Sequence, residues 1–241
     1  MSSRTTARAV GACFLLAFVF YIAGTVMVDS GAGNPVVLSA VEEHGTLIAS
    51  GALLMLVNSV VIAAIGVLML PVLRPHGEVS AYGYLVCRSV DAVMLAIGTV
   101  FLLLLLPLGR EYAASGGQGS DLAAVARVAQ RANFYSYEVG MISVSIGGLV
   151  LCRILLRARL VPRLLALLGL VGYAAFLAGS VLEVLGYPVG NVLSAPGGLF
   201  EVALGVLLIA RGFTAQDPDE TERTDPAELD VRPAAAVLSG A

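Results

Sequence analysis

The sequence predicts an all-α membrane protein: a bundle of six transmembrane helices with the N- and C-termini in the cytoplasm. Three observations carry this reading. Hydrophobic residues make up 58% of the 241 positions and charged residues 13%, where soluble domains run near a half and about a quarter. The apolar residues gather into six runs, each long enough to cross a hydrocarbon layer of ~30 Å as helix. Every basic side chain is arginine, and the arginines concentrate in alternate connections.

The first span covers about residues 9–28 and follows Arg4 and Arg8. A signal peptide shares that charge pattern, but this apolar run exceeds a typical signal core, so a retained helix is expected. A loop from Asp29 to Pro35 precedes a short outer helix over 36–44. Span two, about 46–73, is longer than a bilayer needs, and Pro71, Pro75 and Gly77 are read as its end. Span three, about 82–107, is expected to close at Pro107 and Gly109.

The longest polar interruption comes next. Gly116-Gly117-Gln118-Gly119 breaks the chain, and residues 121–131 have helical composition. That segment either lies on the membrane surface or runs straight into span four, about 134–156. Gly140, Ser143 and Gly147 in span four, and Gly172, Ala175 and Gly179 in span five (about 164–185), present small residues at helical spacing. Such faces let helices approach closely, within the bundle or between copies, so a homo-oligomer is compatible with them. Span six, about 190–211, carries Pro196 after Ser194, which reads as a broken helix or as a capped helix start. Residues 214–241 combine seven acids (Asp217, Asp219, Glu220, Glu222, Asp225, Glu228 and Asp230) with three prolines (Pro218, Pro226 and Pro233). A disordered acidic cytoplasmic tail is expected there, with the transmembrane domain spanning 1–213.

Orientation follows from the short connections. Arg4, Arg8, Arg74, Arg153, Arg157, Arg159, Arg163 and Arg211 fall on one side, against Arg110, Arg127 and Arg131 on the other. The arginine-rich side is read as cytoplasmic. Their dispersal along loops excludes a nucleic-acid-binding surface. Cys13, Cys87 and Cys152 lie in or beside apolar runs without a Cys-x-x-Cys pair, as small packing residues do.

Inside the spans the polar side chains stand out. Arg88 and Asp91 share one side of span three at i and i+3. At about 1.5 Å per residue, Arg88 lies roughly 9 Å and Asp91 roughly 13 Å from the inner end, and Glu201 roughly 15 Å from it. Asn58 enters from the other side and reaches roughly 18 Å, near mid-membrane. These four residues on three helices are the candidate ligand or ion site. One arginine against two ionised carboxylates leaves a negative charge in low dielectric, so a proton or a cation is expected to close the balance. The alternative is a packing-only salt bridge containing one neutral acid.

A secondary, outer group comprises His44, Glu138 and Glu183 near Glu42 and Glu43, with Tyr135, Tyr137, Tyr173 and Tyr187 read as interface anchors. No His-x-x-x-His or His-Glu-x-x-His pattern occurs, so neither a metal site nor haem ligation is predicted. No phosphate-binding glycine loop and no Gly-x-Ser-x-Gly occurs either, and no cofactor is predicted.

The chain also resembles the bacterial membrane proteins of the domain of unknown function 4386 family, from about Arg4 to Phe213. The residues that carry the likeness are Thr6-Ala7-Arg8, Leu73 with its turn, Tyr84-x-x-x-Arg88-x-x-Asp91, Arg159-Leu160-Val161-Pro162-Arg163, and Pro196…Glu201…Arg211-Gly212-Phe213. Relatives more often show Arg-x-x-Glu where this chain has Arg88 and Asp91. The resemblance implies six spans in a bacterial cytoplasmic (inner) membrane and marks Arg88, Asp91 and Glu201 as family-type positions; it implies no reaction.

Three functions follow as expectations. The first is binding of a small ligand, or proton- or cation-linked transport, through the Arg88, Asp91, Glu201 and Asn58 cluster. The second is a structural or regulatory membrane protein whose cluster only fixes packing. The third is a membrane enzyme acting on a lipid-like substrate with the outer carboxylates, which ranks last because no catalytic motif supports it.

Overall fold

The computed structural model of the chain describes residues 3–214; the acidic segment expected to be disordered lies, from residue 215 onward, outside the described residues. The described residues form eight helices: α1 (Ser3–Ala32), α2 (Leu38–Glu43), α3 (Gly45–Leu73), α4 (Glu78–Leu103), α5 (Leu105–Ala114), α6 (Ser120–Arg157), α7 (Arg163–Val184) and α8 (Gly190–Ala210). Six of them, α1, α3, α4, α6, α7 and α8, are long and apolar enough to cross a membrane.

The two faces of α4 show why these helices suit lipid. Ala81, Tyr84, Arg88, Asp91, Leu95, Thr99 and Leu102 recur at three- and four-residue steps and are all buried. Val86, Val90, Val93, Ile97, Val100 and Leu104 recur at the same steps on the outside and are all exposed. The exposed stripe is as apolar as a protein core, which water would not tolerate on one helix after another but hydrocarbon does. Leu16, Val19, Ile22 and Val26 make a similar exposed stripe on α1.

The six long helices form a closed ring. α1 packs on α3, α3 on α4, α4 on α6, α6 on α7, α7 on α8, and α8 returns to α1. In lipid there is no hydrophobic force to draw these helices together, so close packing and interhelical hydrogen bonds must do it. Ser143 of α6 donates to the Cys87 carbonyl of α4 at 2.9 Å. The small faces expected on spans four and five are used inside the ring: Gly147 lies against Cys87, and Gly172 against the backbone of Pro196 and Gly197.

Several ends differ from the sequence reading. Span three does not close at Pro107 and Gly109. The helix breaks at Leu104 instead, and both residues belong to α5. Proline lacks the N–H that would bond the carbonyl four residues back, and its ring crowds that carbonyl. The break therefore falls one turn earlier, and Pro107 sits in the first turn of α5, where a missing donor costs little. Residues 121–131 are not a separate surface helix but the start of the continuous α6. α1 runs past Asp29 to Ala32. α3 passes through Pro71 and hands over to a 3-10 turn at Arg74–His76. Gly77, at φ 151°, then turns the chain into α4 with a backbone that L side chains rarely adopt. Pro196 neither breaks α8 nor starts it, and Ser194 lies inside the helix.

Apolar clusters occupy both ends of the ring. Val10, Leu73, Leu155, Val161 and Leu208 belong to the cluster at the end that carries the Arg74 turn. Val28, Val41, Ile48, Leu102 and Leu105 belong to the one at the other end, where α2 and α5 pack together.

Candidate functional site

All six long helices contribute to one central cavity of about 170 Å³. α1 brings Phe14 and Tyr21, α3 Asn58, α4 Arg88 and Asp91, α6 Tyr137, α7 Phe176 and α8 Glu201. The four residues singled out from the sequence thus line a single space. Arg88 is 3% exposed, Asp91 1% and Asn58 2%.

Arg88 is committed to partners inside the ring. Its Nη2 donates to Glu201 Oε1 at 2.6 Å, its Nε to the Tyr84 hydroxyl at 3.1 Å, and its Nη1 to Asp91 Oδ2 at 3.4 Å. Its Cζ lies 5.3 Å from the Phe14 ring centroid and 5.8 Å from that of Tyr84. A guanidinium offers five donors in a fixed fork and stacks on aromatic faces, and this pocket uses both properties.

The two carboxylates are treated unequally. Glu201 Oε1 receives Arg88 and also the Tyr173 hydroxyl, each at 2.6 Å. Both contacts are short, as hydrogen bonds to a charged group are. Asp91 has one long contact to Arg88, near the limit of a useful hydrogen bond, and its Oδ1 has no partner among the described residues. Asn58 Oδ1 is likewise buried and without a partner. Asp91 Oδ1 rests close to Gly140, where even an added methyl carbon would lie 3.2 Å from it. Among the described residues, the charged ones lining the cavity are Arg88, Asp91 and Glu201.

The sequence reading named Tyr84 only within the family motif, with no role at the site, and misplaced Tyr173. Both are fully buried and bonded to the charge cluster. Tyr173 is therefore no interface anchor, and Tyr137 faces the cavity, whereas Tyr135 and Tyr187 are exposed. Both misses carried a signal. Tyr84 stands one turn before Arg88 on the same face. Tyr173 lies ~15 Å along α7 from Arg163, the depth already assigned to Glu201. Gly148 makes room for Tyr173, since a Cβ there would collide with the phenol ring.

Glu138 is buried and bonded to Ser180, with Glu183 within electrostatic reach. His44 is exposed and its ring lies against the Ala40 carbonyl at 3.1 Å. Among the described residues, no three His, Cys, Asp or Glu side chains come together as a metal-binding group, so His44, Glu138 and Glu183 form none.

A second depression of about 500 Å³ is lined by Asp29, Asn34, Arg127, Gln130 and Arg131, and also by Tyr21 and Tyr137. Those two tyrosines stack with centroids 5.6 Å apart and stand between it and the central cavity.

The family model described as Domain of unknown function (DUF4386) matches residues 9–212, and the chain belongs to that family. No curated protein and no solved structure matches the chain.

Proposed function

We propose that this DUF4386 protein binds a small ligand, or exchanges a proton or cation, in the central cavity, and that Asp91 is the exchanging group. The observation that supports this is the inequality of its two acids: Glu201 holds two bonds at 2.6 Å, and Asp91 one at 3.4 Å. With Arg88 matched to Glu201, the charge of Asp91 is the one left over. A net charge in low dielectric costs several kcal/mol, so Asp91 carries a proton or faces a cation. A cavity touching every long helix couples that occupancy to the packing of the whole ring. In this reading, binding drives movement of a solute across a bacterial cytoplasmic membrane. The arginine-rich ends and both termini face the cytoplasm, in line with the positive-inside asymmetry.

The test uses the full chain in lipid nanodiscs. Infrared difference spectra would report a protonated carboxyl band, and melting would be followed in sodium, potassium and choline salts. Either the band or a cation-dependent rise in melting temperature is expected in wild type, lost in Asp91→Asn and kept in Glu201→Gln. Neither signal in wild type, or loss only in Glu201→Gln, would leave the packing-only reading.

A further inference from the structure

We propose that the central cavity takes a protonated amine with an apolar substituent, its ammonium at Asp91 and Asn58 and its apolar part against the aromatic wall. This rests on the preceding reading that Asp91 is the exchanging group, and adds the chemical class of what it meets.

Four properties of the cavity select that class. Its charge sum, one arginine against two carboxylates, favours a cation over an anion. Three nitrogens of Arg88 are already engaged, by Tyr84, Asp91 and Glu201, which leaves it poorly placed to receive an anionic ligand. The two partnerless oxygens in the cavity, Asp91 Oδ1 and Asn58 Oδ1, are acceptors, so they call for a ligand that donates hydrogen bonds, as an ammonium does. The remaining wall is apolar and aromatic, with Phe14, Phe18, Tyr21, Tyr137 and Phe176, and ring faces attract organic cations.

Size and coordination separate this class from simpler cations. A proton needs no cavity, yet this one of about 170 Å³ is several times the roughly 30 Å³ share of one water. A bare divalent ion takes six or more oxygen ligands, and among the described residues no three His, Cys, Asp or Glu side chains come together to begin such a shell. A small amine uses both parts: the donors satisfy the two oxygens, and the carbon skeleton fills the aromatic space.

The experiment titrates methylamine, n-butylamine and benzylamine into the full chain in nanodiscs, followed by calorimetry and thermal shift, with empty nanodiscs as blank. Benzyl alcohol and benzoate serve as neutral and anionic matches of benzylamine. At least one amine is expected to bind tenfold or more tightly than the alcohol, with benzoate silent. Asp91→Asn and Asn58→Leu should each weaken that binding by about tenfold. Asn58→Leu leaves the charge cluster intact, so it decides the matter even if Asp91→Asn folds poorly. Equal binding of alcohol and amine, preference for benzoate, binding unchanged in Asn58→Leu, or no binding of any amine would each overturn the proposal. If the Asp91-dependent carboxyl band or cation stabilisation survives such a result, the exchange reading stands without the amine.

Discussion

Tyr21 and Tyr137 stack across the ring from α1 to α6, with centroids 5.6 Å apart and planes inclined by 19°, where the central cavity adjoins the second depression. The end of the ring that carries the Arg74 turn is filled by the large apolar cluster around Leu73, Leu155 and Leu208. Among the described residues, only the tyrosine pair is shared by the two spaces. Truncating Tyr137 to Ala should open a path between them. In a background with Cys13, Cys87 and Cys152 replaced by Ala, a reporter Ile62→Cys in the cavity wall should react about tenfold faster with an impermeant thiol reagent once Tyr137→Ala is added. Labelling followed by intact-mass spectrometry measures this, and an unchanged rate would place the barrier elsewhere.

Removing Arg88 strands two acids. Arg88→Met should destabilise the chain by about 3–5 kcal/mol, because breaking a buried pair leaves uncompensated charge. Adding Glu201→Gln to it should recover a good part of that loss, since a neutral amide needs no counter-charge. Melting of the single and double variants in one lipid gives the coupling. A double variant no more stable than Arg88→Met would mean that the Arg88–Glu201 contact contributes little to stability.

The placement of Tyr173 depends on an absent side chain. Gly148→Ala puts a carbon into the Tyr173 ring, and the phenol must move away from Glu201. A loss of about 1–3 kcal/mol is expected, as for overpacking in general. Gly83→Ala is the matched control: nothing lies within 4 Å of its added Cβ, and the helix gains propensity. Thermal melts of the two variants should therefore move in opposite directions, or at least differ by more than about 1 kcal/mol.

The six long helices were legible because a membrane span announces itself by length and apolarity alone, with no need to know its neighbours. The Arg88–Asp91 pair was legible for a local reason, two charges on one helix face. Glu201 and Asn58 followed from depth, which is a one-dimensional quantity. Depth fails where rotation about the helix axis decides, and that is why Tyr173 was read as an anchor rather than as a donor to Glu201. The break at Leu104 shows another limit. Proline acts on the turn before it, so the punctuation sits earlier than the residue that causes it. The shared cavity needed the closed order of the ring, above all α8 on α1, which no local pattern encodes.

Neutralising each acid separately probes their inequality. Asp91→Asn removes a charge that one contact at 3.4 Å barely compensates, so stability should fall by no more than about 1 kcal/mol or should rise. Glu201→Gln weakens two bonds of 2.6 Å, and one amide orientation would aim a donor at both Arg88 and the Tyr173 hydroxyl. A loss of about 2–3 kcal/mol is expected there, in the range for hydrogen bonds to charged groups. Unfolding in a single lipid composition, with both variants measured beside wild type, supplies the comparison. The reverse order, with Asp91→Asn the more damaging, would make Asp91 the structural partner of Arg88 and would move the exchanging role to Glu201.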